Sequence, residues 1–121
     1  MSFTVLSFME NELPIATWKE RLLYFLGRRQ AFLVEGRSME PTLRDGYAVL
    51  IDSRAAIAIN DIVLALHPYK ESVKILKRIS EIDTHGSYIL IGDNNAESTD
   101  SRTFGLILPK NILGKAVCRL K

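Results

Sequence analysis

Ser38, in Gly36-Arg37-Ser38-Met39-Glu40-Pro41-Thr42-Leu43, and Lys77, in Val73-Lys74-Ile75-Leu76-Lys77-Arg78-Ile79, are the side chains whose types and settings best suit covalent chemistry. A serine hydroxyl is a weak nucleophile at neutral pH and needs a neighbouring base, together with donors for the oxyanion formed on attack. His67 and His85, the two histidines, fall in no pattern that would activate a serine, so a lysine is the base to look for. Gly36 permits an unusual turn and the close approach of another backbone, and Pro41 biases Glu40 toward an extended shape. Ser38 is therefore expected exposed at a strand end, its own N–H free to face an oxyanion. On its own the segment also reads as a surface turn in which Ser38 bonds locally.

Strand alternation separates the lysines near position 77. A two-residue period puts Val73, Ile75, Lys77 and Ile79 on one face and Lys74, Leu76 and Arg78 on the other, so Lys77 is the lysine on the more apolar face. Burial disfavours the ammonium form, and a neutral amine could take the proton of Ser38. A lysine that snorkels to water or pairs with a carboxylate fits the same spacing.

A third cluster follows the apolar run Tyr88 to Ile91: Gly92-Asp93-Asn94-Asn95-Ala96-Glu97-Ser98-Thr99-Asp100-Ser101-Arg102-Thr103-Phe104-Gly105. So many loop-forming residues predict a compact, heavily hydrogen-bonded loop. Within it Ser98 could hydrogen-bond the amine of Lys77, and Asp100 and Arg102 are spaced to pair and fix the loop. A surface turn with solvated charges is the plainer reading.

These segments must be positioned by the rest of the chain. From about Ala16 to Arg29, Trp18, Leu22, Phe25 and Leu26 recur at helical spacing, with Thr17 as a start signal and Gly27 as a stop. That face either packs on the core or meets a membrane surface or a partner. After Gln30 the pattern turns to short β-type runs, predicting strands at Ala31 to Glu35, Tyr47 to Asp52, Asp61 to His67, Val73 to Ile82, Ser87 to Ile91 and Ile112 to Leu120. No helices alternate with these strands, so the expected fold is mainly β, an antiparallel and partly closed sheet. At 121 residues the chain is expected to be one domain, with residues 1–30 as its helical segment and 31–121 as its β part.

Composition excludes little. Sixteen basic against fourteen acidic residues leave a net charge of +2, which makes no case for nucleic acid. Cys118, the single cysteine, sits in an alternating stretch and reads as a small buried thiol. No apolar run reaches the roughly 20 residues that span a bilayer, and the N-terminus lacks the pattern of a secretory signal, so the expected location is cytoplasmic, with membrane contact confined to the Trp18 to Leu26 face. No residue cluster has metal-ligand spacing, so no cofactor is expected.

Taken together, Gly36 to Leu43, Lys77-Arg78-Ile79 and Gly92-Asp93-Asn94 with Ser98, Asp100-Ser101-Arg102 and Phe104-Gly105 resemble the signal peptidase I family of serine-lysine proteases, from about Val34 to Lys115. The resemblance implies a β catalytic domain in which Ser38 attacks a peptide carbonyl and Lys77 is the general base. It further implies that Ser98 orients Lys77, that Asp100 and Arg102 stabilise the site, and that Gly36 and Met39 support the nucleophile. Some members carry an oxyanion-hole hydroxyl two residues before the nucleophile; Gly36 stands there in this chain, leaving the role to backbone donors, chiefly the N–H of Ser38, or to water. Membrane-bound members have an anchor before the serine box and a Gly-Leu-Pro-Gly-Asp-like stretch after the lysine, whereas Ile79 here is followed by Ser80-Glu81-Ile82-Asp83 and a short hairpin. Within the family the chain looks most like the small maturation proteases associated with nickel-containing superoxide dismutase. That likeness implies a protein substrate with a short N-terminal propeptide, the nickel belonging to the product. A general leader peptidase, a self-cleaving repressor-type protease and a non-catalytic binding module are the alternatives.

Overall fold

The computed structural model describes residues 13–70, 72–94, 96 and 99–120. Its strands are β1 (Gln30–Leu33), β2 (Ala48–Asp52), β3 (Ile62–Leu66), β4 (Lys74–Ile82), β5 (Tyr88–Ile91) and β6 (Ile112–Arg119). All six join one antiparallel sheet in the order β1-β2-β6-β3-β4-β5. Each expected strand is present, with ends within one or two residues of those expected, and the sheet does not close: β1 and β5 are its two edges.

The sheet is buried on both faces at its centre. Along β3, Ile62 and Leu64 enter an apolar cluster with Val34, Met39, Leu43 and Leu76, while Val63 and Ala65 enter another with Ile79, Leu90, Phe104 and Ile107. Successive strand residues point to opposite faces, so a strand covered on both sides must read as a continuous apolar run, as Ile62-Val63-Leu64-Ala65 does. Gly114 lets β6 sit tightly beside β2: a Cβ there would come within 2.6 Å of the Ile51 side chain and 2.8 Å of the Asp52 carbonyl. A third cluster joins Leu50, Cys118 and Ala16, so Cys118 is the buried thiol its setting suggested, and burial pushes its pKa up.

Helix α1 (Trp18–Phe25) starts where Thr17 Oγ1 accepts the Glu20 N–H at 3.4 Å, and Gly27 follows its end. Packing of its apolar face on the core is overturned, because no residue of α1 is buried: Trp18 is 71% exposed and Phe25 86%. The helix is held instead by its polar side. Arg29 makes a bidentate pair with Glu20, at 2.8 and 3.2 Å, and lies 3.5 Å from Asp52 at the end of β2; Arg21 donates to the Leu120 carbonyl at 3.4 Å. Partly buried ionic contacts therefore fix the orientation, and Trp18, Leu22, Phe25 and Leu26 face outward. Among the described residues, no helix is long and apolar enough to cross a membrane.

Candidate active site

Strand β4 carries Lys77 into the sheet's interior, with Val63 of β3 as its cross-strand partner and Ile75 and Ile79, two residues away on either side, in the second apolar cluster. Lys77 is only 5% exposed, whereas Lys74, the first residue of the strand, faces solvent. The alternation thus picked the buried lysine. Burial holds the pKa of Lys77 below its usual 10.5; the negative charge of Asp100 works against that shift and the positive charge of Arg102 adds to it.

Ser38 lies in a turn beyond β1, partly buried, where exposure at a strand end was expected. The difference has a cause in long-range bonds that no local pattern announces. The Asn94 N–H donates to the Ser38 carbonyl at 2.8 Å, and the Asn94 side-chain amide donates to the Arg37 carbonyl at 3.0 Å. Thr42 donates its hydroxyl to Asp93 at 2.5 Å, and Asp93 in turn takes a bidentate pair from Arg78, at 2.9 and 2.8 Å. The serine turn is thereby stapled to the segment after β5, and through Arg78 to the residue next to Lys77. Gly36 meets a conformational demand: its φ is +83°, in the left-handed region that penalises a side chain, and its N–H donates to Asp45 at 2.7 Å. Among the described residues, no atom beyond its chain neighbours lies within 4 Å of the position a Cβ would take, so they make no close backbone approach there.

Asp100 is fully buried, and its carboxylate organises the third segment. One oxygen accepts from the Arg102 N–H at 3.1 Å and Nε at 2.9 Å; the other accepts from Arg102 Nη2 at 2.7 Å and the Gly92 N–H at 2.9 Å. Asp100 also caps the short helix α2 (Ser101–Phe104), whose Ser101 hydroxyl accepts the Leu90 N–H at 2.8 Å and ties it to β5. The anticipated Asp100–Arg102 pair is therefore present, with the carboxylate end buried and the guanidinium end 45% exposed. Ser98 lies outside the described residues. Met39, 1% exposed, anchors the serine turn in the first apolar cluster.

Two cavities meet at Ser38 and Lys77, which line both. The first, of about 470 Å³, runs between Phe32 to Glu35 and Ser72 to Lys77, with Met39 at its floor. The second, of about 370 Å³, opens toward Arg37, His67, Lys70, Thr99 and Phe104. The His67 ring lies 4.9 Å from that of Phe104, tilted by 60°, and its Nδ1 accepts the Tyr69 N–H at 3.1 Å. Burial and the charge of Lys70 lower its pKa. The sequence pattern puts His67 at the end of a strand and Asp93-Asn94 in the loop cluster; their places near the serine turn come from contacts distant in the chain. A hydroxyl and a buried amine opening on one cleft can support acyl transfer, the amine serving as proton acceptor and then donor. Among the described residues there is no cluster able to hold a metal ion.

A family model described as signal peptidase, peptidase S26, matches residues 81–121. That stretch holds Asp93, Asn94, Asp100 and Arg102 but neither Ser38 nor Lys77. The mitochondrial inner membrane protease subunit 1 of Xenopus tropicalis is 32% identical to the chain over 114 residues, an alignment covering 75% of this chain and 68% of that protein.

Proposed function

Because the chain belongs to the signal peptidase family, peptidase S26, we propose that it is a serine endopeptidase whose nucleophile is Ser38 and whose general base is Lys77. The observation that carries this reading is the shared position of the two side chains on both cavities, with burial lowering the pKa of Lys77. In the first half of the reaction Ser38 Oγ attacks the scissile carbonyl while Lys77 Nζ takes its proton. The same proton then passes to the departing amine, leaving an acyl ester on Ser38. A water, deprotonated by Lys77, hydrolyses that ester and restores the serine. With glycine at position 36, the oxyanion is met by backbone donors, chiefly the N–H of Ser38. Ser98 is assigned the orienting of Lys77, and Asp100 with Arg102 the holding of the loop.

The proposed substrate is a protein bearing a short N-terminal propeptide, that of a nickel-containing superoxide dismutase precursor in the first instance. Supporting it is the compact interval between the lysine and Gly92, which contains only a hairpin. Incubation of the purified chain with this precursor, followed by mass spectrometry of the new N-termini, is expected to give one cut near the N-terminus that Ser38→Ala eliminates. Cleavage by Ser38→Ala, or none by wild type, would sink the assignment.

A second reading, a leader peptidase working at a membrane, is favoured by the outward apolar face of α1. Trp18, Leu22, Phe25 and Leu26 are all exposed, and Lys19 and Arg21 flank them. Such a face suits the boundary layer of an anionic bilayer. On this reading, the chain co-sediments with vesicles containing phosphatidylserine and Phe25→Glu releases it; equal recovery of both proteins in the supernatant would remove the membrane from consideration.

A further inference from the structure

We propose that the second cavity receives the part of the substrate that follows the scissile bond, and that its donor-rich wall of Arg37, His67, Lys70 and Thr99 selects a carboxylate side chain there. The proposal rests on the assignment of Ser38 and Lys77 above, and it concerns which substrates that site accepts.

A substrate must extend on both sides of Ser38, and the two cavities differ in what they offer. The first lies between strand edges. β1 is an edge of the sheet, and residues 74–77 of β4 pair with β3 but lie outside the β4–β5 register, which runs from Arg78 to Ile82. Unpaired strand edges bind an extended chain through regular main-chain hydrogen bonds. The acyl segment stays bonded to Ser38 until water has attacked, so the cleft that can hold a chain in register suits that segment. The second cavity is walled by side chains and loops, which suits the fragment that departs.

Its chemistry is one-sided. Arg37 and Lys70 bring positive charge, and Lys70 makes no ion pair among the described residues. Because His67 Nδ1 accepts the Tyr69 N–H, the neutral ring carries its proton on Nε2 and has a donor left to offer. Glu35 is the one carboxylate among the described lining residues, and Arg37 already meets Glu40 at 3.2 Å, so among the described residues the donors without a charged partner are those of His67 and Lys70. The Phe104 ring packs against the imidazole at 4.9 Å. A carboxylate presented to this wall gains a charged partner and a directed hydrogen bond; a lysine or arginine meets like charge.

Digestion of a decapeptide library randomised at every position, with both fragments sequenced by mass spectrometry, reads residue frequencies on each side of the cut. Wild type is expected to enrich Asp and Glu over Lys and Arg by roughly five- to tenfold at one of the first three positions after the cut. Lys70→Glu is expected to reverse that preference, and His67→Ala to weaken it, while the frequencies before the cut stay as they were. An enrichment unmoved by both variants, or a charge preference confined to positions before the cut, would overturn the proposal. Labelling by a serine-acylating penem separates the two layers. Protein labelled at Ser38 that cleaves without charge preference refutes the cavity assignment alone, whereas unlabelled protein whose Ser38→Ala variant still cleaves refutes the reading beneath it.

Discussion

Lys77→Met is expected to lose peptide cleavage by at least about 10³-fold, the scale on which a positioned proton acceptor and its nucleophile act as a unit. The same substitution should make the protein more stable at neutral pH. Methionine fills the volume of the lysine stem among Val63, Ile75 and Ile79 without bringing an ammonium into a site that is 5% exposed. The sign of the pH dependence follows from the lowered pKa. Between the folded-state pKa and the usual value of 10.5, the unfolded chain binds more protons at this position, so wild-type stability rises with pH across that interval. The advantage of Lys77→Met should therefore be full below the folded-state pKa and vanish as pH approaches 10.5. On the proposed assignment the neutral amine is the base, so wild-type kcat/KM should climb with pH along a limb centred on the lowered pKa. Lys77→Arg keeps its charge at every accessible pH and should be inactive throughout. A Lys77→Met protein that cleaves normally, or whose stability advantage is flat from pH 6 to pH 10, would show that Lys77 is a structural residue.

What was legible in the sequence was whatever depends on near neighbours. Period-two alternation found the six strands and distinguished Lys77 from Lys74, because the side of the sheet a residue faces is decided two positions at a time. The Asp100–Arg102 pair was legible for the same reason, its members being two residues apart. Helix α1 shows the limit. Its period was read correctly, yet the docking side was set by Glu20, Arg29 and Asp52, an ionic contact to a strand more than twenty residues on, and a hydrophobic stripe carries no information about it. Asn94 and Thr42 illustrate the point at the site itself: Asn94 reaches back to Arg37 and Ser38, and Thr42 forward to Asp93, across separations of more than fifty residues. Ser38 is partly buried because of those bonds. The cleft likewise arises where β1 and β4, distant in the chain and not adjacent in the sheet, leave unpaired edges facing a common space.

Asp100→Ala is expected to destabilise the fold by about 2–4 kcal/mol. Its carboxylate is fully buried, and its removal orphans the buried Gly92 N–H, at a cost of roughly 1–3 kcal/mol, and strips the cap from α2, at about 1 kcal/mol more. For a chain of this size that corresponds to a fall in Tm of roughly 10 °C, measurable by circular dichroism. Little is credited to the guanidinium end of the Arg102 pair, since it is 45% exposed and well solvated. Asp100→Asn is the more informative variant, because it keeps the side chain's shape and one acceptor oxygen while removing the charge. In wild type that charge opposes the burial that lowers the Lys77 pKa. With it gone, burial and the positive Arg102 act unopposed, so the acid limb of kcat/KM should move to lower pH even as the maximal rate falls with the loosened loop. A merely structural Asp100 would lower stability and rate without moving that limb, and a limb displaced toward higher pH would contradict the electrostatic coupling outright. Because Gly92 adjoins Asp93 and Asn94, the loss of Asp100 also slackens the hold on the Ser38 turn. One buried carboxylate thus bears on the position of the proposed nucleophile through hydrogen bonds and on the protonation of its proposed base through charge, and the pH profile separates the two.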